Sequence, residues 1–157
     1  MLFRSLHQQW QVVHEHADEY QREVLTPAFY RELAQRLAGK AKVMLFYRQE
    51  TLVGHILLML DGELMRFMFF GRHQAAHDGL WIYGGYALIE TAIRLGMPRI
   101  EFGLTTYDLK QELGATISPV RMALRTTRRI LNPFVGPVFR LLNRPPEVEI
   151  RHVFRKP

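Results

Sequence analysis

Between residues 42 and 71 three strand-length apolar runs follow one another, VMLFYR, TLVGHILLML and ELMRFMFFG, separated only by Gln49-Glu50 and by Asp61-Gly62. Connections this short leave an antiparallel meander, because parallel neighbours need a crossover of about a dozen residues or more. Asp-Gly between two apolar runs signals a hairpin, since both central positions of a type I′ turn take positive φ. The runs barely alternate apolar with polar, which predicts a sheet covered on both faces.

The flanking segments supply the covers. Leu6, Trp10, Val13 and Ala17 recur at helical spacing and predict a first helix over residues 5–20. Thr26 before Pro27 reads as an N-cap followed by proline at the first helical position. Phe29, Tyr30, Leu33 and Leu37 then line one face, and Gly39 closes the helix. After a polar connection from Arg72 to Gly79, Ile82, Tyr86, Ile89 and Ile93 mark a helix that ends at Gly96, with Pro98 beyond. Arg99 to Gly103 reads as a short strand, and a helix capped by Thr105 or Thr106 carries Tyr107, Lys110 and Glu112 as far as Gly114.

Residues 117–127 read as extended, residues 132–142 as a short helix weakened by Pro133 and Pro137, and EVEIRHVF from Glu147 as a terminal strand. This order predicts an α+β fold, an α/β sandwich with a mixed, mostly antiparallel central sheet and helices on both faces. The expected organisation is one domain over residues 1–127, with a basic extension, 128–157, packed on it.

A chain of 157 residues fits one domain, and the absence of cysteine excludes disulfides, thiolate metal sites and a cysteine nucleophile. No apolar run approaches the roughly 18 residues of a membrane span, and MLFRSLHQQW lacks a leader pattern, so a cytoplasmic location is expected. The formal charge of +6 is unevenly spread: Arg121, Arg125, Arg128, Arg129, Arg140, Arg144, Arg151, Arg155 and Lys156 crowd the last quarter. Nucleic acid, an acidic membrane surface or a phosphorylated donor would each satisfy that charge, and so would solvent on a plain basic face.

Tyr107 and Lys110, three residues apart, fall on one helix face just after a strand. A phenol and an ammonium aimed at one point can protonate a leaving group and hold an oxyanion. The same spacing also describes a surface tyrosine and lysine on an amphipathic helix. Glu101 can act as a general base or brace the turn through hydrogen bonds. His55 reads as a packed strand residue, and the run Met65, Phe67, Met68, Phe69 and Phe70 as core or as the lining of an apolar channel. His14 and His16 point to different helix faces, which leaves only His14 and Asp18 aligned, so no metal site is expected.

The order of elements resembles the Gcn5-related N-acetyltransferase (GNAT) superfamily. Glu101-Phe102-Gly103, Tyr107, Lys110, Leu113 and Gly114, together with the helix from Trp81 to Gly96, resemble its FemAB-like, or BioF2-like, acyltransferase branch. The likeness spans roughly residues 27–127. It implies an enzyme that moves an acyl or aminoacyl group from acyl-CoA or aminoacyl-tRNA to an amine acceptor. In that superfamily the donor lies where two strands splay apart, which here means between Glu63–Gly71 and Arg99–Gly103, and the next helix start faces the donor's phosphates.

The resemblance assigns Tyr107 as the acid and Lys110 as the stabiliser of the reacting carbonyl or a phosphate, with Glu101 the third catalytic candidate. On the donor side it places Gly103, Thr105, Thr106, Gly79 and Phe70. His73, His77 and Asp78 lie beside the gap as candidate bases for the acceptor amine. The superfamily's coenzyme A signature, Arg or Gln before Gly-x-Gly, is replaced here by RHQAAHDGLWIYGG. Acetyl-CoA or another acyl-CoA and transfer RNA therefore both stand as donor partners, with no metal. Relatives of that branch commonly carry two such domains, which leaves three expectations for this chain: a fragment, a minimal relative, or a homodimer that supplies the missing half. A non-catalytic module of the same fold that binds RNA, a cell-wall precursor or a membrane surface through its basic quarter is the alternative.

Overall fold

The computed structural model describes residues 2–16, 25–74, 78–103, 107–120 and 123–142. It divides into two compact units, Met1–Thr105 and Thr106–Pro157. The first holds α1 (Leu2–Glu15), α2 (Pro27–Arg36), β1 (Ala41–Arg48), β2 (Thr51–Asp61), β3 (Leu64–Arg72), α3 (Leu80–Arg94) and β4 (Arg99–Glu101). The second holds α4 (Tyr107–Glu112), a 3-10 turn (Arg129–Leu131) and α5 (Asn132–Leu142).

The sheet has the order β1-β2-β3-β4, antiparallel through the meander and parallel between β3 and β4. Helices cover both faces, as the apolar runs predict. On one face Phe46, Ile56, Leu58, Met65 and Phe70 pack under Leu80, Leu88 and Ala92 of α3. On the other, Leu57 packs against Leu6 and Trp10 of α1 and Tyr30 of α2. Central strand β2 is buried on both sides from Gly54 to Leu58, which is why its sequence carries no polar alternation.

Local chemistry sets the element ends. The Thr26 side chain accepts from the Phe29 amide and Pro27 opens α2, as predicted. α3 and α4 both close with a left-handed glycine. Around Gly96 the Met97 amide donates to Ala92 and the Gly96 amide to Ile93; around Gly114 the Ala115 amide donates to Lys110 and the Gly114 amide to Gln111. This paired pattern satisfies carbonyls that a helix end leaves open.

Several expectations are corrected. The β2–β3 turn is Gly62-Glu63, because Asp61 pairs with Leu64 and stays in β2; Gly62 alone takes positive φ, at 59°. Glycine thus stands at the first of the two turn positions, where a mirror-image turn demands it most. α1 begins earlier than predicted, at Leu2, and ends at Glu15. The stripe Ile82, Tyr86 and Ile93 does not face the sheet but is exposed, and α3 buries Leu80, Gly84, Gly85, Leu88 and Ala92 instead. Small residues let α3 approach closely: a Cβ on Gly84 would stand 3.0 Å from Ile56 Cδ1. No strand forms at 117–120 or 123–127, where Val120 and Leu124 lie exposed. The short helix over 132–142 forms as α5 despite Pro137 inside it, and the strand expected from Glu147 lies outside the described residues.

Candidate active site

The pairing of β3 with β4 lasts three rungs, Leu64 with Arg99, Met65 with Ile100 and Arg66 with Glu101. There β4 ends, while β3 continues to Arg72. Along Phe67–Arg72 the β4 side of β3 has no strand partner among the described residues, although its other edge stays hydrogen-bonded to β2. A register shift opposite Leu57 and Leu58 leaves Met68 as the extra residue in this stretch. The shift turns Phe67 and Phe70, three residues apart, toward the α3 core, and Phe69 toward α1 and α2. Bulges of this kind bend a strand and end its pairing, and they recur beside active sites.

Glu101 closes the short ladder. Its carboxylate accepts from the Arg66 guanidinium, and Arg66 also lies 3.7 Å from Asp61, so the bracing role has an observed partner. Beyond it the chain turns through Gly103, whose φ of 79° only glycine adopts without strain. Thr105 and Thr106 lie outside the described residues, as does His77. Phe70 is buried in the α3-side core, with the Arg72 guanidinium 5.8 Å from its ring centre.

The start of α3 carries its own anion. Gly79, with φ of 73°, turns the chain into the helix, and Asp78 Oδ1 accepts from the Leu80 amide at 3.1 Å. The same carboxylate faces Arg72 at 3.7 Å and Arg48 at 3.6 Å. A carboxylate at a helix N-terminus is favoured by the dipole, and two guanidiniums reinforce it. Beside it a cavity of about 350 Å³ is lined by Arg48, Asp78, Gly79, Leu80, Tyr83 and residues of β1 and β2. Arg72 Nε is buried without a hydrogen-bond partner among the described residues. His73 is exposed just past the end of β3, where its amide donates to the Val53 carbonyl.

In the second unit, Tyr107 and Lys110 share one face of α4, as the spacing predicts. Tyr107 is half-buried and Lys110 is buried beside the equally buried Gln111. Burial lowers the Lys110 pKa to about 8, because loss of water penalises the ammonium. Its charge can therefore change close to neutral pH.

No residue spacing points to the partners that hold these groups: Arg66 for Glu101, and Arg48 with Arg72 for Asp78. Strand-end arginines two elements apart carry no shared spacing. A buried polar network on the opposite face also escaped the pattern. Gln9 Nε2 donates to the Leu52 carbonyl at 2.9 Å, which leaves its Oε1 to accept from His55 Nδ1 at 2.9 Å. His55 Nε2 is then the acceptor for the Tyr30 hydroxyl at 3.2 Å. His55 is the packed strand residue expected, neutral and fully enclosed. Near His14 and His16 no metal-binding group appears among the described residues; His14 stacks on Trp10, and His16 Nδ1 lies 2.7 Å from the Val12 carbonyl.

Residues 2–111 match the family model described as acetyltransferase (GNAT) domain, and the chain belongs to that family. Solved structures share the fold. The tetramutant of the BH1408 protein from Bacillus halodurans superposes with a TM-score of 0.57 at 15% identity, over 79% of this chain and 96% of that one. A ribosomal-protein-alanine N-acetyltransferase from Brucella melitensis biovar Abortus 2308 gives 0.54 at 14% identity, over 79% and 94%. No curated protein sequence matches the chain. No helix among the described residues is long and apolar enough to cross a membrane.

Proposed function

We propose that the chain is an N-acyltransferase of the FemAB-like branch, which carries an acyl or aminoacyl group from a thioester or ester donor to an amine. The observation that carries this reading is the open edge of β3. Past Arg66 that edge has no partner from β4, and an extended donor arm laid along Phe67–Arg72 gains backbone hydrogen bonds of the kind an added strand would make.

In the proposed reaction the amine attacks the donor carbonyl, and the oxygen takes up negative charge as the tetrahedral centre forms. The Lys110 ammonium stabilises that charge; with a pKa of about 8 it is mostly protonated at neutral pH. The bond to the leaving sulfur or oxygen then breaks, and the Tyr107 hydroxyl supplies its proton. The attacking amine loses its proton to an imidazole, His73 or His77, acting as general base. Glu101 in this reading braces the last rung of the β3–β4 ladder. Gly103 turns the chain just after β4, and Thr105 and Thr106 are the proposed donor-side residues that follow it in sequence.

The start of α3, where the superfamily's donor phosphates face, already holds Asp78. A coenzyme A diphosphate at that place must displace the carboxylate and take over Arg48 and Arg72. This cost, with the missing signature, favours an aminoacyl ester over a coenzyme A thioester. Residues 1–127 form the transferase domain in this reading.

A thermal-shift screen against aminoacyl-tRNA and acetyl-CoA tests the donor. A donor at a hundred times its Kd stabilises the folded state by about 2.7 kcal/mol. A rise in Tm with aminoacyl-tRNA, and a smaller one or none with acetyl-CoA, is the expected result. No shift with either would remove the basis of the reading.

A further inference from the structure

The second unit contains a surface that acyl transfer does not use. None of the residues of α5 is buried, and its large apolar side chains stand out into solvent: Leu141 is 80% exposed, Leu142 75% and Phe134 63%. Phe134, Val138, Leu141 and Leu142 recur at helical spacing and form one stripe, while Asn132, Gly136, Arg140 and the less exposed Phe139 lie on the other side. Ile130 and Leu131, in the 3-10 turn just before, are exposed as well, at 85% and 47%.

The charge around this stripe has one sign. Between Glu112 and Glu147 the sequence holds six arginines, Arg121, Arg125, Arg128, Arg129, Arg140 and Arg144, and no acidic residue. Arg125, Arg128, Arg129 and Arg140 are all exposed. The approach to α5 is held in place, because Asn132 Oδ1 accepts from the Thr126 amide at 2.9 Å and Thr126 Oγ1 from the Arg128 amide at 3.2 Å.

We propose that residues 125–142 form a docking surface for an anionic lipid bilayer, with α5 lying in the plane of the interface. Phe134, Val138, Leu141 and Leu142 enter the acyl boundary, and the flanking arginines meet the headgroup phosphates. An exposed apolar stripe bordered by arginine alone is what an interfacial helix presents. The unopposed positive charge selects an anionic surface over a zwitterionic one. Four exposed arginines with no acidic residue among them match a lipid surface, which presents anionic headgroups all along the length of the stripe.

Co-sedimentation of the full chain with vesicles tests this. Binding is expected to phosphatidylcholine vesicles containing phosphatidylglycerol, and not to phosphatidylcholine alone. Replacing Arg128 and Arg129 by Gln should weaken it roughly fivefold per arginine, the typical worth of one basic residue near an anionic leaflet. The double variant Val138→Ser with Leu141→Ser keeps every charge and should also lose binding, with an unchanged far-ultraviolet spectrum because both side chains are exposed. Equal binding by this serine variant and the parent would overturn the proposal, since charge alone, as for an RNA, would then suffice. So would no binding to anionic vesicles, or a dimer that the serine variant dissociates, which would give the stripe to a second copy.

Discussion

Arg66 and Glu101 are joined twice, as partners in the last rung of the parallel β3–β4 ladder and as an ion pair between their side chains. Past this pair the two strands no longer run together, so it marks the inner end of the opening in which the donor is proposed to lie.

Glu101→Gln separates bracing from catalysis. Both partners are about 40% exposed, so loss of the charge should cost under about 1 kcal/mol of stability. As a brace, Gln still accepts from Arg66 and transfer activity stays within a few-fold of the parent. A general base would lose roughly a hundredfold or more in kcat on the same change.

Asp78→Asn keeps an oxygen to accept from the Leu80 amide and removes the negative charge from the start of α3. Affinity for coenzyme A should rise by about fivefold, as expected when a competing anion worth about 1 kcal/mol is neutralised at a helix N-terminus. Calorimetric titration of the two proteins reads this directly, and equal affinities would move the phosphate site away from α3.

His55 makes stability fall on acidification. Burial lowers its pKa to about 4, against 6.5 for the free side chain, so between these values the unfolded chain binds more protons than the folded one. Its contribution is flat above about 6.5, declines by about 3 kcal/mol as pH falls to 4, and is flat again below that. Urea titrations of the parent and His55→Gln at pH 7 and pH 4.5 check this, with the variant showing the smaller loss.

Gly71→Ala attacks the same network from the neighbouring strand. A Cβ there would stand 2.2 Å from His55 Cε1 and 2.9 Å from the Trp10 amide nitrogen. The imidazole is fixed at both nitrogens by Gln9 and Tyr30, and the amide is backbone, so neither can yield cheaply. The substitution should destabilise by about 1–3 kcal/mol or more, measured by chemical denaturation.

The meander was legible in the sequence because strand-length runs and two-residue turns leave few alternatives, and Pro27, Gly96 and Gly114 punctuate the helices by their own backbone limits. The position of the Gly62 turn and the bulge at Met68 were not legible, since each depends on a register set by cross-strand pairing. α3 misled for a physical reason. It faces the sheet with Gly84, Gly85 and Ala92, which a search for large apolar side chains passes over in favour of the exposed Ile82, Tyr86 and Ile93. At the site, Tyr107 and Lys110 could be singled out by spacing, but not the burial that lowers the lysine pKa, and neither could the arginines that occupy Glu101 and Asp78.

The pH dependence of acyl transfer to an amine, measured for the parent, Lys110→Ala and Tyr107→Phe, tests the central claim most directly. A cationic Lys110 must be protonated to hold the oxyanion, so the parent's kcat should fall as pH rises through about 8. Lys110→Ala should lose roughly a hundredfold and show no such limb, and Tyr107→Phe should lose most with the poorer leaving group. A rate that rises through pH 8, or variants that transfer as fast as the parent, would contradict the account.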